Sequence, residues 1–208
     1  MGNIDSKMND QVNSGRLHLF IGPMYAGKTS KLIDVYEECV DNEEKCIILT
    51  HSSETRYSTD KISTHDQKQL PCFKYNNIND FISNCKDSID KCSTILVDES
   101  QFFNDLINIL PLVNTLNKKV FVFGLDGDFK RNKFGQILDL IPHCDTIEKL
   151  TANCNNCQNS AIFSHRTMDS SEQVLVGSNE AYQSLCRDCY NKYNKLNDRL
   201  PDTTLMTN

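Results

Sequence analysis

A chain of 208 residues supports one full-sized domain with at most a small appendage. Its 38% hydrophobic and 24% charged residues can build a core, which excludes collagen-like, coiled-coil and wholly disordered classes. The 22 Lys and Arg against 28 Asp and Glu leave a net charge of −6, which argues against wrapping a nucleic-acid backbone but leaves room for a small anionic ligand. The first 15 residues are polar and lack the apolar core of a secretion signal. No run approaches the roughly 18 apolar residues of a membrane span, so a cytoplasmic protein without membrane contact is expected. Met1-Gly2 with Ser6 fits a myristoylation pattern, yet one acyl chain anchors weakly, and a soluble tail is the expectation.

Leu17-His18-Leu19-Phe20-Ile21 reads as a short buried strand ended by a turn at Gly22. From Lys28 to about Val40, Leu32, Val35, Tyr36 and Cys39 recur at spacings of three and four, which predicts an amphipathic helix. Cys46-Ile47-Ile48-Leu49 is a second apolar run, and residues 52–69 lack a period and read as loop. Phe81, Cys85 and Ile89 step by four and mark a second helix. Thr94-Ile95-Leu96-Val97 runs apolar into Asp98-Glu99. A third helix carries Leu106, Ile107, Leu110 and Val113, with Pro111 kinking it or splitting it in two. Val120-Phe121-Val122-Phe123 is a further strand stopped at Gly124. Apolar strands alternating with helices predict an α/β fold, a parallel sheet covered by helices. The alternation stops near Thr151, where paired cysteines begin, and the domain boundary is expected there.

Gly22-Pro23-Met24-Tyr25-Ala26-Gly27-Lys28-Thr29 fits the G-x-x-x-x-G-K-[ST] pattern between a strand and a helix. Its glycines let backbone amides wrap phosphate oxygens, and the helix N-terminus adds favourable partial charge. Lys28 would reach the β- and γ-phosphates of ATP, and the Thr29 hydroxyl would ligate Mg²⁺. In such proteins an Asp at the end of a neighbouring strand serves the metal, usually through water, and a second carboxylate beside it can accept a nucleophile's proton. Asp98 suits the first task and Glu99 the second. Adjacent strand residues point to opposite faces, so both reach one site only where the strand is ending.

Ten cysteines without a secretion signal make a disulfide framework improbable. Cys39, Cys46, Cys72, Cys85, Cys92 and Cys144 are scattered and read as packing residues. Cys154-x-x-Cys157 and Cys186-x-x-Cys189 form a four-thiolate set suited to a closed, structural Zn²⁺ site, with a redox dithiol as the alternative. The 28 residues between the pairs suggest an excursion that leaves the metal and returns to it.

The cradle, the segment Glu54-Thr55-Arg56-Tyr57, Asp98-Glu99-Ser100-Gln101-Phe102-Phe103 and Leu125-Asp126-Gly127-Asp128-Phe129 appear in that order before the cysteine pairs. From about Leu17 to Tyr190 the chain resembles the zinc-containing thymidine kinases of animals, bacteria and poxviruses. That resemblance implies a P-loop, RecA-like parallel sheet over 16–150 and a small zinc-binding lobe with a lasso loop over 151–192, between tails at 1–15 and 193–208. It implies transfer of the ATP γ-phosphoryl to the thymidine 5′-hydroxyl, with Glu99 as general base. The cradle, Glu54, Thr55, Arg56, Asp98, Ser100 and Gln101 would meet ATP, and Arg56 would approach its phosphates. Phe129 would pack at the deoxynucleoside, with Met24, Phe102, Leu125 and Phe134 as further walls. Gln173, Val174, Leu175, Val176 and Gly177 would read the base through backbone groups, with the Tyr182 hydroxyl as an added contact. A homotetramer and feedback inhibition by dTTP are implied as well. His65 also falls in a matching segment and carries no catalytic expectation.

Three positions depart from the family pattern. Ser100 replaces a Gly or Ala, with little change expected. Asp128 stands where Thr is common, and adds negative charge beside Phe129. Ser164 replaces a Thr near the base, which loosens the expected fit around the thymine methyl and leaves deoxyuridine open as a substrate. Phe129, Phe134 and Met24 also read as ordinary core residues, and Tyr182 as a packed surface tyrosine. Two other functions fit some of the residues: a P-loop ATPase with a zinc ribbon acting on nucleic acid, and a zinc-stabilised module that binds nucleotide without turnover.

Overall fold

The structure is a computed structural model that describes residues 14–53, 61–63, 69–168, 173 and 181–193. Strand β1 (Arg16–Ile21) leads through the glycine turn into helix α1 (Lys28–Asp41) and strand β2 (Cys46–His51). Next come β3 (Lys61–Ser63), β4 (Gln69–Pro71) and β5 (Phe73–Tyr75), then α2 (Ile78–Asn84), α3 (Lys86–Lys91) and β6 (Thr94–Val97). Short 3₁₀ turns at Ser100–Phe102 and Leu106–Ile109 precede α4 (Leu110–Asn114) and β7 (Lys119–Gly124). A further 3₁₀ turn, Ile137–His143, leads to β8 (Thr146–Lys149). The chain continues through β9 (Ala152–Asn153), β10 (Ser160–Ala161), β11 (Phe163–Arg166), β12 (Tyr182–Leu185) and α5 (Arg187–Tyr193).

Six strands form one parallel sheet in the order β5-β2-β6-β7-β1-β8. The central strands β2, β6 and β7 are largely apolar because both faces of the sheet are covered there. Leu17, Leu19, Ile95, Val97, Val120 and Val122 join one core with Ile78, Phe81 and Ile89 of α2 and α3. Phe20, Ile48, Leu96 and Phe123 point the other way, against Leu32, Ile33, Val35 and Cys39 of α1. The α1 stripe at spacings of three and four is therefore the face buried on the sheet.

Beyond β8 the architecture changes. Two antiparallel pairs, β9 with β10 and β11 with β12, carry a small lobe with its own core of Ala152, Cys154, Ala161, Leu185, Cys186, Cys189 and Tyr190. Ala26 of the glycine turn belongs to the same cluster, so this lobe packs directly on the cradle.

Three local features differ from the expected pattern, and the division of the third helix follows it. The stretch read as loop contains β3 and the first residue of β4, which pair antiparallel. Three-residue strands are too short to show a period, and Pro71 lacks an amide to donate. The helix expected through Phe81, Cys85 and Ile89 is two helices broken at Cys85, although all three side chains stay buried. The third helix is divided as Pro111 allows, a 3₁₀ turn followed by α4 with Pro111 in its first turn. Strand β8 has all four residues exposed, so it offered no apolar run to read. Cys39, Cys85 and Cys92 are buried and Cys46, Cys72 and Cys144 half-buried, all six as free thiols in or against the cores. Burial pushes the Cys39, Cys46 and Cys92 thiols up, as expected of inert packing residues.

Candidate active site

The turn after β1 holds three residues at positive φ: Gly22 (153°), Tyr25 (62°) and Gly27 (77°). A side chain on Gly22 would place its Cβ 2.5 Å from the Leu150 carbonyl oxygen, so this position also needs glycine for space. Lys28 lies folded over the turn, its Nζ donating to the carbonyls of Pro23 (2.7 Å) and Gly22 (3.2 Å). Thr29 follows in the first turn of α1. Met24 is held from outside the sheet domain. Its amide donates to Ser164 Oγ on β11 at 2.9 Å, and its carbonyl accepts from Ser184 Oγ on β12 at 2.7 Å.

Strand β6 ends at Val97, and the two carboxylates come immediately after it. Asp98 is buried; its amide donates to the Leu49 carbonyl and its Oδ1 accepts from the Glu99 amide at 3.0 Å. Glu99 adopts the left-handed conformation (φ 49°, ψ 38°), which costs a non-glycine residue about 1–2 kcal/mol. This turn breaks the strand alternation that would have sent the two side chains to opposite faces. Since β1 and β6 flank β7 in a parallel sheet, cradle and acid pair emerge at the same sheet edge about 10 Å apart, two strand spacings.

Gln101 is buried and brackets this pair. Its Nε2 donates to Glu99 Oε2 at 2.5 Å, and its Oε1 accepts from the Leu125 amide at 3.0 Å. Its backbone fits closely as well: a Cβ on Gly135 (φ 63°) would lie 2.2 Å from the Gln101 carbonyl oxygen. The Ser100 hydroxyl faces Gly124, where a Cβ would come within 2.2 Å, and has no hydrogen-bond partner among the described residues. Ser100→Ala should therefore raise stability by about 1 kcal/mol, read as a higher melting temperature, by removing an unsatisfied buried hydroxyl.

Residues 126–134 form a tight loop beside this bracket. Gly127 and Lys133 pair across it, and the Asp128 carboxylate accepts from the amides of Lys130 and Asn132, both at 2.8 Å. Asp128 is buried and its charge is spent on its own loop and on Gln173 Nε2, 3.0 Å away. The added charge beside Phe129 thus closes a turn. Phe134 is buried and meets Phe102 edge-to-face at 5.7 Å, while Phe129 and Leu125 are half-buried. The Phe129 carbonyl accepts from the Tyr190 hydroxyl of α5 at 2.6 Å, a second tie to the small lobe.

In that lobe, Cys154, Cys157, Cys186 and Cys189 bring their sulfurs within 4.8 Å of one another, and Cys157 lies 3.6 Å from both Cys186 and Cys189. Tetrahedral zinc with Zn–S near 2.3 Å requires S···S separations of about 3.8 Å, so the four residues fit the ion and leave it no open position. Burial opposes ionisation of Cys154, but the amides of Cys186, Asn156 and Cys157 aimed at its sulfur outweigh it and bring the thiol down to about 6. Asn156 Nδ2 also donates to Cys189 Sγ at 3.1 Å. Such outer donors stabilise thiolates around a cation.

Of the expected site residues, Glu54, Thr55, Arg56, Val174, Leu175, Val176 and Gly177 lie outside the described residues, as does His65. Gln173 and Tyr182 are described and meet at one side chain, Arg166 of β11, whose Nη2 donates to the Tyr182 hydroxyl (2.6 Å) and the Gln173 carbonyl (3.0 Å). No functional expectation falls on Arg166, Ser184 or Tyr190 from the sequence. Each acts on a partner distant in the chain, and no local motif marks it. Ser164, expected only as a departure from the family pattern, accepts from the Met24 amide through its hydroxyl oxygen.

A phosphate cradle at the edge of a parallel sheet, one strand removed from a strand ending in paired acids, places the chain among the P-loop nucleotide-binding α/β proteins. Comparison with known proteins narrows this. The family model for thymidine kinase matches residues 15–190, and the chain belongs to that family. A thymidine kinase of Yaba monkey tumor virus (strain VR587) is 38% identical over 181 residues, covering 87% of this chain and 97% of that relative. One from vaccinia virus (strain Western Reserve) is 36% identical over 179 residues, with 86% and 98% covered. One from Oryza sativa subsp. japonica is 36% identical over 179 residues, with 85% and 66% covered.

Proposed function

We propose that this chain transfers the γ-phosphoryl group of ATP to the 5′-hydroxyl of thymidine, giving dTMP for nucleotide salvage. The observation that carries the reading is Glu99, turned out of its strand by a left-handed backbone and held by Gln101 at the sheet edge that also bears the cradle. Lys28 exchanges the carbonyls of Gly22 and Pro23 for phosphate oxygens, joined by the cradle amides. The Thr29 hydroxyl and the Asp98 carboxylate, the latter through water, are hard oxygen donors of the kind Mg²⁺ takes, and the ion supplies charge neutralisation on the phosphates. Glu99 accepts the 5′-hydroxyl proton. Gln101 orients that carboxylate and ties it to Leu125, in keeping with its place in the nucleotide-binding stretch along with Ser100. Phe129, Leu125, Phe102, Phe134 and Met24 wall the nucleoside pocket, with Tyr182 and 173–177 closing it. Glu54, Thr55 and Arg56 complete the ATP side.

The same reading divides the chain at residue 151 into an ATP-binding domain and a zinc lobe that carries the closing loop. It includes a cytoplasmic homotetramer inhibited by dTTP. Among the described residues no helix is long and apolar enough to cross a membrane. Sedimentation of a monomer alone at micromolar concentration with ATP would remove the tetramer from this account, and activity indifferent to dTTP would remove the feedback. The primary test is a coupled assay of ADP release with thymidine, deoxyuridine, deoxycytidine and deoxyadenosine as acceptors. ADP release dependent on thymidine is expected. ATP hydrolysis that ignores every nucleoside but responds to nucleic acid would overturn the proposal in favour of a remodelling ATPase.

A further inference from the structure

We propose that Arg166 is a positioning residue of the nucleoside pocket, a planar brace that fixes Phe129, Tyr182 and Gln173 together. The inference rests on the reading that Phe129 and Tyr182 meet the nucleoside, and extends it to a side chain that no motif marks.

Arg166 ends β11 and is only 6% exposed. Its guanidinium carbon sits 3.7 Å from the centroid of the Phe129 ring, well inside the roughly 6 Å reach of a cation–π contact. It also lies 5.2 Å from the Tyr182 centroid, and Nη2 donates to both the Tyr182 hydroxyl and the Gln173 carbonyl. One rigid group therefore fixes a ring by its face, a phenol by its oxygen and Gln173 by its backbone carbonyl. The circuit closes through Gln173, whose Nε2 donates to Asp128, the residue before Phe129. Because a guanidinium has donors only, the Tyr182 oxygen must accept here, which leaves its own O–H to donate to another group.

A buried guanidinium is a costly filler, and an apolar chain of similar length would serve packing alone as well or better. Lysine would keep the charge, but a compact ammonium cannot lie flat on Phe129 while donating in plane to two oxygens. Arginine is thus required for its shape. The sheet domain supplies Phe129 and the zinc lobe supplies Arg166 and Tyr182, so the brace sets the width of the pocket between them.

The test measures KM for thymidine at saturating ATP, and KM for ATP at saturating thymidine, in the full-length zinc-containing protein. It compares wild type, Arg166→Lys, Arg166→Met, Phe129→Leu and the double variant Arg166→Met with Phe129→Leu, with bound zinc and melting temperature measured for each. Arg166→Met should raise the thymidine KM about 10-fold or more, leave the ATP KM within about twofold and keep the zinc. Arg166→Lys should recover little of that loss. The double variant should cost about as much as the worse single one, because both remove the same contact. A thymidine KM unchanged in Arg166→Met, full rescue by lysine, or equal rises in both KM values with loss of zinc would overturn the inference. If Arg166→Met fails to fold, Arg166→Lys alone gives the same split. Wild type inactive on thymidine would sink the functional reading itself, whereas active wild type with indifferent variants sinks only the brace.

Discussion

Glu99→Gln is expected to lower kcat about 10²- to 10⁴-fold while leaving both KM values nearly unchanged, the usual worth of a positioned general base. The amide keeps the shape of the carboxylate and can still accept from Gln101 through its oxygen, so the bracket that runs from Glu99 through Gln101 to the Leu125 amide survives. What it loses is the capacity to take a proton from the acceptor hydroxyl. Steady-state kinetics with thymidine, together with ATP binding by titration calorimetry, separates the two effects. A module that binds nucleotide without turnover would be indifferent to this change, and a kcat within about threefold of wild type would dispose of Glu99 as the base. A companion variant sharpens the point. Glycine tolerates the left-handed conformation that glutamate adopts here, so Glu99→Gly should lose activity to a similar degree without losing stability. Catalysis and stability then move independently at one residue, as expected where backbone strain serves a site.

How much of this was legible beforehand follows the range of the interactions. The strands at residues 17–21, 94–97 and 120–123 could be read because both faces of the sheet are covered there and most of their positions are apolar. The cradle could be read because its chemistry is local, a backbone shape that eight consecutive residues dictate. The cysteine pairs could be read because zinc geometry constrains spacing. Strand β8 could not: its four residues are exposed, and it is held by pairing with β1 and by Asp145, which accepts from the Leu17 amide at 2.8 Å. Nor could the small strands between β2 and α2, where three residues are fewer than two periods of alternation. Within the site the division is the same. Asp98 and Glu99 announce themselves at a strand end, and alternation correctly warned that they share a site only if the strand stops. The left-handed turn that resolves this belongs to no composition rule. Ser184, Tyr190 and Arg166 acquire their contacts from partners 160, 61 and 16 residues away in the chain, so only the folded structure assigns them.

Removal of zinc should abolish thymidine turnover and weaken ATP binding without eliminating it. The lobe's own core is mostly alanine and cysteine, with Leu185 and Tyr190 as its larger members, too little apolar surface to hold two short strand pairs together. Structural zinc contributes about 10–16 kcal/mol in small metal-stapled domains, comparable to the whole stability of an ordinary domain. Chelation, or Cys186→Ser, should therefore melt the lobe and with it Tyr182 and Arg166, which the proposed function places at the nucleoside. The sheet, whose two cores draw on other residues, should remain folded. The cradle stands between these outcomes. Its Met24 amide and carbonyl are bonded to Ser164 and Ser184, and Ala26 packs in the lobe core. Losing two neutral hydrogen bonds of about 1 kcal/mol each would loosen the cradle by an amount worth roughly 10- to 30-fold in ATP affinity. Titration of ATP and of thymidine against chelator, with far-UV circular dichroism to follow the sheet, measures the order of events. Thymidine turnover that persists after zinc has left would refute a metal-dependent acceptor pocket. Simultaneous loss of both ligands and of the sheet signal would show that the lobe and the sheet domain fold as one unit, with no independent ATP-binding part.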